Sequence, residues 1–371
     1  MKLICNKNRL LETAGLVSRA VSARSTLPVL ECVLLSCADD ALTLLANDLS
    51  MAIESQTMAV EMAAPGGVAL EAKLFHDIIR HAPEDDISIS TDENMITVIQ
   101  SGKAEYKILG IPADEFPAMP KLEEKKTFRI RSGLLRNMIR QTIFSVAVVD
   151  TKPALTGELL EVEDGALHMV AVDGFRVSYR LGELLTEDPA DCRIIVPPKA
   201  LNEINRLLQS EEDFAVDVHY TDRHALFALP HCTLVTRLIE GEFIKYRQVF
   251  TEDHATVVTV NRHAFLMSLE RVSVIASKEA KKNPIVLRIE ADRLEVSSQT
   301  ESGNVRDEIP VEADGGDMEI SFNPRYLLEA VRAMDDEMIA MQFNSPLNPC
   351  VLRGLEDPTG KYLVLPLRLR S

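Results

Sequence analysis

Ala72-Lys73-Leu74-Phe75-His76-Asp77-Ile78-Ile79 is the first of three copies of one plan in this chain. Pro198-Lys199-Ala200-Leu201-Asn202-Glu203-Ile204-Asn205 and Pro324-Arg325-Tyr326-Leu327-Leu328-Glu329-Ala330-Val331 follow the same plan. A basic residue opens each copy, an acid follows four positions later, and the apolar residues keep the spacing of one helix face. Lys73, Lys199 and Arg325 are separated by 126 and 126 residues. Behind each helix comes an acidic pair, Asp85-Asp86, Glu211-Glu212 or Asp335-Asp336, and an alternating strand over 86–90, 214–218 or 338–343.

A second recurrence lies upstream of each copy. Segments 3–23, 128–146 and 258–276 each run a short strand into a helix. Polar residues stand at the helix starts, Asn6 to Asn8, Ser132 and Asn261, where side-chain oxygens cap free N–H groups. Asn323-Pro324 pairs such a cap with a proline at the first helical position. Alternating or β-rich strands fill the intervals at 42–45, 51–57, 166–172, 176–181 and 294–300. Three prolines and a charge run between 112 and 126, and a polar, acidic stretch at 250–254, mark two joints. The expectation is an α+β protein of three duplicated domains, 1–125, 126–252 and 253–371, each with antiparallel sheets and two helices on one side. Unrelated α+β domains share this coarse pattern, but two equal spacings in matched order favour duplication.

Composition narrows the function. At 371 residues, 46% apolar and 26% charged, the chain reads as globular with two to four domains. Forty Lys and Arg against 57 Asp and Glu give a net charge of −17, which excludes a wholly basic nucleic-acid binder. No apolar run approaches the roughly 20 residues that span a bilayer. The first eight residues carry two lysines without an apolar core or cleavage site behind them, so a mature cytoplasmic chain is expected. Six cysteines form no C-x-x-C pair and read as free thiols. Tryptophan is absent, which disfavours stacking platforms for single-stranded bases.

The charge is unevenly distributed. The six expected helices with their flanking turns, windows 6–24, 72–82, 131–146, 198–209, 261–283 and 324–334, hold eighteen basic and six acidic side chains. Glutamate forms helices as readily as lysine, so propensity does not explain the bias. Either these are solvated faces of biased composition, or the helices share one basic side. A shared basic side would attract a phosphate backbone without reading sequence.

Nothing assembles into catalysis. The eight histidines are scattered; His76, His81 and His263 read as surface or packing residues. No H-E-x-x-H, phosphate-binding loop or G-x-G-x-x-G is present, so no catalytic residue, cofactor or metal is expected. The acidic pairs recur with the repeat and read as turns; a metal site is the alternative. Three functional readings follow: a sequence-blind binder of the DNA backbone, an interaction scaffold without DNA binding, and a hydrolase built on the acidic turns. The basic helices favour the first.

Leu27-Pro28-Val29-Leu30 after Arg24, Asp173-Gly174-Phe175-Arg176, Glu240-Gly241-Glu242-Phe243-Ile244-Lys245-Tyr246 and Leu365-Pro366-Leu367-Arg368-Leu369, in this order on a threefold duplication, resemble the bacterial DNA polymerase III beta subunit family, the sliding clamps. The resemblance covers essentially the whole chain. It implies a head-to-tail homodimer closed into a ring, helices lining the hole and sheets outside, surrounding duplex DNA and tethering the polymerase for processive replication. It implies DNA contact by Arg24, Lys73, Lys152 and Lys199, with Lys278, Lys281 and Lys282 as further candidates. Some relatives carry aromatics near Lys152, where this chain has Pro153 and Ala154.

The resemblance also implies a pocket between the second and third domains for short linear motifs of the polymerase III catalytic subunit, the clamp loader, other polymerases and repair proteins. Its lining would be Leu155, Val172, Gly174, Phe175, Arg176 and Val177, then Ile244, Tyr246 and Val249. Asn323, Tyr326, Leu363, Leu365, Pro366 and Leu367 complete it. Phe175, Ile244 and Gln248 depart from residues frequent in relatives, which bears on peptide preference. At the ring joint, Tyr106 and Ile108 of an edge strand would pack on Val274 and Ile275. Lys103 or Lys107 would pair with Glu301, Asp307 or Glu308.

Overall fold

The computed structural model describes residues 1–22, 25–38, 41–59, 61–123, 125–149, 151–209, 212–251, 253–276, 283–301 and 303–367. Its helices fall where the periodicity puts them: α1 (Lys7–Val17), α2 (Ala72–His81), α3 (Ser132–Thr142), α4 (Pro198–Leu207), α5 (Arg262–Ala276) and α6 (Pro324–Ala333). Asn6 caps α1 by accepting from the Asn8 and Arg9 amides, at 3.1 and 3.3 Å. Asn261 accepts from the Ala264 amide at 3.0 Å, and Asn323 from the Arg325 amide at 3.0 Å. Each cap satisfies donors that the first helical turn leaves open.

Two compact units emerge, and neither coincides with a repeat. One comprises Met1–Ser132 and Arg206–Leu238; the other comprises Gly133–Asn205 and Ile239–Ser371. The first unit holds a five-stranded antiparallel sheet, in the order Glu61–Ala64, Lys2–Asn6, Asp86–Thr91, Ile96–Ser101, Ala104–Leu109. Its nine-stranded sheet joins Met51–Met58 to Thr233–Arg237, with Ala52 opposite Val235. The second unit holds a four-stranded sheet, Gly303–Pro310, Arg293–Thr300, Ile285–Ile289, Met318–Phe322. Its nine-stranded sheet joins Arg176–Glu183 to Gly360–Val364, with Val177 opposite Leu363. The sheets therefore run past the cuts near 125 and 252. Strand ends left by one repeat find hydrogen-bond partners in the next, which removes edges that would otherwise invite foreign strands.

The helices pack their apolar faces on these sheets. Phe75, Ile78 and Ile79 of α2 are buried in the first unit, and Phe265, Leu269 and Val272 of α5 in the second. Each such side chain contributes roughly 1.5–3 kcal/mol on burial. α1 packs beside α2, and α5 beside α6. Lys7 Nζ donates to the Ala82 carbonyl at 2.6 Å, placing a cation at the C-terminal end of α2 where exposed carbonyls carry negative partial charge.

One buried carboxyl leads to a prediction. Glu158 is fully buried and hydrogen-bonded to Thr142, with its second oxygen unpartnered among the described residues. Burial pushes its pKa up to about 8, the Thr142 hydrogen bond pulling the other way. The folded state thus holds this proton more tightly than the unfolded chain. Its contribution is complete below the ordinary glutamate range and is lost as pH climbs through about 8. Glu158→Gln should flatten this loss. Thermal melts of the two proteins should diverge in favour of the variant as pH rises from the ordinary glutamate range to about 8, by a few kcal/mol at about 1.4 kcal/mol per pKa unit, and stay a constant distance apart above it. Parallel melting profiles from pH 5 to 9 would refute a buried neutral acid.

Candidate partner-binding cleft and nucleic-acid faces

In the second unit the turn between strands Ala166–Val172 and Arg176–Glu183 is fixed by Asp173. Its Oδ1 accepts from the Phe175 and Arg176 amides at 3.0 and 3.1 Å. Gly174 sits in the turn at φ 84, a left-handed conformation that glycine adopts without penalty. The chain's last described strand lies alongside, and the Leu365 amide donates to the Phe175 carbonyl at 2.9 Å. Beyond it the Leu367 amide donates to the Ser321 carbonyl at 2.7 Å.

These elements enclose a cleft of about 340 Å³ lined by Val172, Gly174, Phe175, Arg176, Val177, Ile244, Val249, Pro349, Leu363 and Leu365. Its side chains are mostly aliphatic, as suits an apolar anchor. Phe175 is 54% exposed and Leu365 36%, so apolar surface is open to a partner.

Arg176 organises the mouth. It is only 5% exposed and donates to Asp173 Oδ2 at 2.8 Å, to Glu329 and to the Phe144 carbonyl. Its guanidinium lies 4.6 Å from the Tyr326 ring centre and 5.3 Å from that of Phe144. Tyr326 stacks with Phe175 at 6.2 Å and 20°. One cation thereby ties the turn, α6 and the 143–145 turn together, and its charge is matched locally.

Two expected lining residues pack in one buried cluster with Val172, Val177 and Leu363 of the cleft wall. Leu155 and Tyr246 lie beneath the cleft in the core, 6% and 2% exposed, because the short helical turns that carry them face inward. The Tyr246 hydroxyl donates to Glu161 at 2.6 Å; burial, then this bond, pushes the phenol up and keeps it protonated. Asn323 is spent capping α6, and Tyr326 touches the cleft through Phe175. Pro366 and Leu367 are half-buried on the tail beyond Leu365. Pro349 was missed by the sequence reading; its only signal is its place before strand Cys350–Gly354, which pairs with the terminal strand.

Among the expected DNA-contacting residues, Lys73, Lys152 and Lys199 are exposed, while Arg24, Lys278, Lys281 and Lys282 lie outside the described residues. The basic windows are less bare than their composition. Arg80 pairs with Asp77, Arg140 with Asp335, Arg271 with Asp307, Arg325 with Glu329, and Arg332 with Glu270.

At the expected ring joint, strand Ala104–Leu109 ends the five-stranded sheet and strand Gly303–Pro310 ends the four-stranded one. Neither has a second partner strand among the described residues. Tyr106, Ile108 and Ile275 are half-buried, and Val274 is 73% exposed. Within the chain, Lys107 already pairs with Glu105, Asp307 with Arg271 and Glu308 with Arg306. Lys103 and Glu301 are exposed and remain the available charges for that joint.

The acidic turns anchor backbone. Asp336 is buried and its Oδ1 accepts from the Glu356 and Asp357 amides at 2.9 and 2.8 Å. Asp335 is held by Arg140 and by Gln141 Nε2. The cysteines are free thiols, and burial pushes Cys5 up to about 12 and Cys232 up to about 11, so both stay protonated.

Three family descriptions cover the chain in order: DNA polymerase III beta subunit N-terminal domain over residues 1–120, central domain over 129–245 and C-terminal domain over 247–368. The beta sliding clamp of Synechococcus elongatus is 32% identical, with all of both chains covered. A solved structure of the Bacillus subtilis DNA polymerase sliding clamp superposes with a TM-score of 0.95 at 31% identity, covering all of both chains. A Pseudomonas aeruginosa sliding clamp solved with griselimycin bound superposes at 0.93 with 27% identity, again over all of both chains.

Proposed function

We propose, from the premise that this chain belongs to the DNA polymerase III beta subunit family of sliding clamps, that two copies close head to tail into a ring around duplex DNA. The protein is a processivity subunit and not an enzyme. The observation that carries the ring is the pair of unpartnered sheet edges, Ala104–Leu109 in one unit and Gly303–Pro310 in the other. Each is a ready template for a strand of the opposite kind, and a heterologous contact of this sort closes when the rotations sum to a full turn. Three duplicated domains per copy make six quasi-equal steps.

Enclosure needs no tight contact. Lys73, Lys152 and Lys199, with Arg24, Lys278, Lys281 and Lys282, provide a sequence-blind attraction to phosphate that falls with salt. The net charge of −17 repels DNA from the rest of the surface. A polymerase held on such a ring rebinds the primer end as an intramolecular event. The cleft beside Phe175 receives linear motifs of the polymerase, the clamp loader and repair proteins, and the ring acts in the cytoplasm. No helix among the described residues is long and apolar enough to cross a membrane.

Retention tests enclosure. Protein loaded on nicked circular DNA should survive moderate salt that strips it from the same DNA linearised. Equal loss from both would reject the ring.

The cleft has its own test. Leu365→Ala with Leu367→Ala removes an open aliphatic wall and should weaken a polymerase-derived peptide by about tenfold or more, while the dimer mass stays the same. Fluorescence anisotropy reads the affinity. An unchanged value would remove the cleft from partner binding.

A further inference from the structure

The cleft beside Phe175 has a smaller counterpart in the first unit. Asp48-Leu49-Ser50-Met51 stands 125 residues before Asp173-Gly174-Phe175-Arg176. Asp48 Oδ1 accepts from the Ser50 and Met51 amides at 2.9 and 2.8 Å, as Asp173 does in its own turn. Leu49 takes the left-handed conformation at φ 71, matching Gly174 at 84. The Arg237 amide donates to the Ser50 carbonyl at 2.9 Å, the same bond that Leu365 makes to Phe175. Phe116-Pro117 occupies the place of Phe243-Ile244, 127 residues earlier. These elements frame a second cleft of about 140 Å³, whose walls include Leu49, Pro117, Ala118 and Val235, with His224 and Arg237 also lining it.

Two features set this cleft apart. A leucine in left-handed backbone costs roughly 1–2 kcal/mol, and here that residue leaves its side chain 58% exposed at the cleft. Such strain concentrates at ligand clamps. The rim is also cationic. Burial, then the Arg237 and Arg223 charges, push the His224 imidazole below its ordinary value. In the larger cleft the one guanidinium is consumed by Asp173 and Glu329, whereas Arg237 is exposed and in no ion pair among the described residues.

We propose that this first-unit cleft is a second docking site, taking an acidic peptide segment of a partner protein with a single aliphatic side chain seated between Leu49 and Pro117 and a flanking carboxylate on Arg237. The inference rests in part on reading the larger cleft as a peptide pocket. Charge complementarity selects the occupant: the aliphatic walls hold one anchor, and the free cation calls for an acid beside it. Its smaller volume makes it the weaker of the two sites.

The probe is an acetylated, amidated peptide, Gly-Asp-Leu-Asp-Gly, titrated into the full-length protein carrying labelled Leu and Val methyl groups. The Leu49 and Val235 signals should shift and saturate. Ala118→Phe, which fills the cleft from an exposed position, should abolish the shifts, and Arg237→Glu should weaken binding about three- to fivefold. Replacing the peptide's leucine by glycine should also abolish them. Leu365 methyl signals report the larger cleft independently, so failure there counts against that pocket alone. Leu49 and Val235 signals that stay still to about 10 mM peptide, or shift equally in Ala118→Phe, would overturn the second site.

Discussion

Arg176→Ala should destabilise the second unit by about 3–5 kcal/mol and close the cleft to the peptide proposed for it. The side chain is 5% exposed and meets Asp173, Glu329 and the Phe144 carbonyl while lying against two aromatic rings. Truncation strands two carboxylates, 14% and 25% exposed, without their cation. The cost of breaking a buried pair from one side comes mainly from that orphaned charge. Glu329 keeps an alternative partner in Arg325, at 2.8 Å, which sets the loss toward the lower end of the range. A chain with several cores need not unfold in one step, so amide exchange in α6 and strand Gly360–Val364 is the local reading. Arg176→Met with Glu329→Gln should recover much of the stability, because a neutral apolar replacement leaves less charge unmatched. It should not recover peptide binding, since Tyr326 and Phe175 lose the cation that sets their stack. A loss under about 1 kcal/mol in Arg176→Ala would mean that the cluster does not hold the turn.

The same cluster shows which parts of the fold can be read from sequence. Helix faces are local: Phe75, Ile78 and Ile79 sit within five residues of one another, and their spacing fixes a helix before any tertiary contact. Ends are harder. Within the window 6–24, α1 stops at Val17; Ser18 turns its hydroxyl back to the Ala14 carbonyl at 2.6 Å and a tighter turn follows, an end that the spacing does not mark. Within 131–146, α3 likewise ends at Thr142 before the turn Ile143–Ser145.

Strand partners across repeats are not legible at all. Met51–Met58 meets Thr233–Arg237 across the whole middle repeat, and no local signal encodes that register. The cleft was half legible. Asp173 through Arg176 form a recognisable string, whereas Pro349 and Glu329 reach the site only through pairing of the terminal strand and packing of α6. Leu155 and Tyr246 share the region in sequence but face inward, which only the local turn geometry decides. Net charge by window also overstates the free cations, because a turn and a strand outside the windows supply Asp335 and Asp307.

Val274→Asp should separate the two copies. Val274 is 73% exposed on α5, so an aspartate there meets water in the isolated chain and leaves the core of that unit untouched. In the proposed ring the same position would be pressed against Ile108 and Tyr106 of the neighbouring copy. Burying a carboxylate there without a partner costs several kcal/mol after relaxation. The dissociation constant should therefore rise by at least about a hundredfold, since each 1.4 kcal/mol is tenfold. Light scattering at low micromolar concentration should report one chain of 41.2 kDa where the parent reports two. Amide exchange should stay as in the parent everywhere except along strand Gly303–Pro310 and strand Ala104–Leu109, where the proposed pairing across the joint would be lost. Retention on nicked circles should fall to the level of linear DNA, because an open chain encloses nothing. Glu301→Lys is the counterpart: an exposed pair with Lys103 contributes only about 0–1 kcal/mol, so this reversal should shift the dimer far less. If Val274→Asp stays a dimer of parental affinity while Glu301→Lys falls apart, the joint is ionic and the packing of Tyr106 and Ile108 on α5 is wrong.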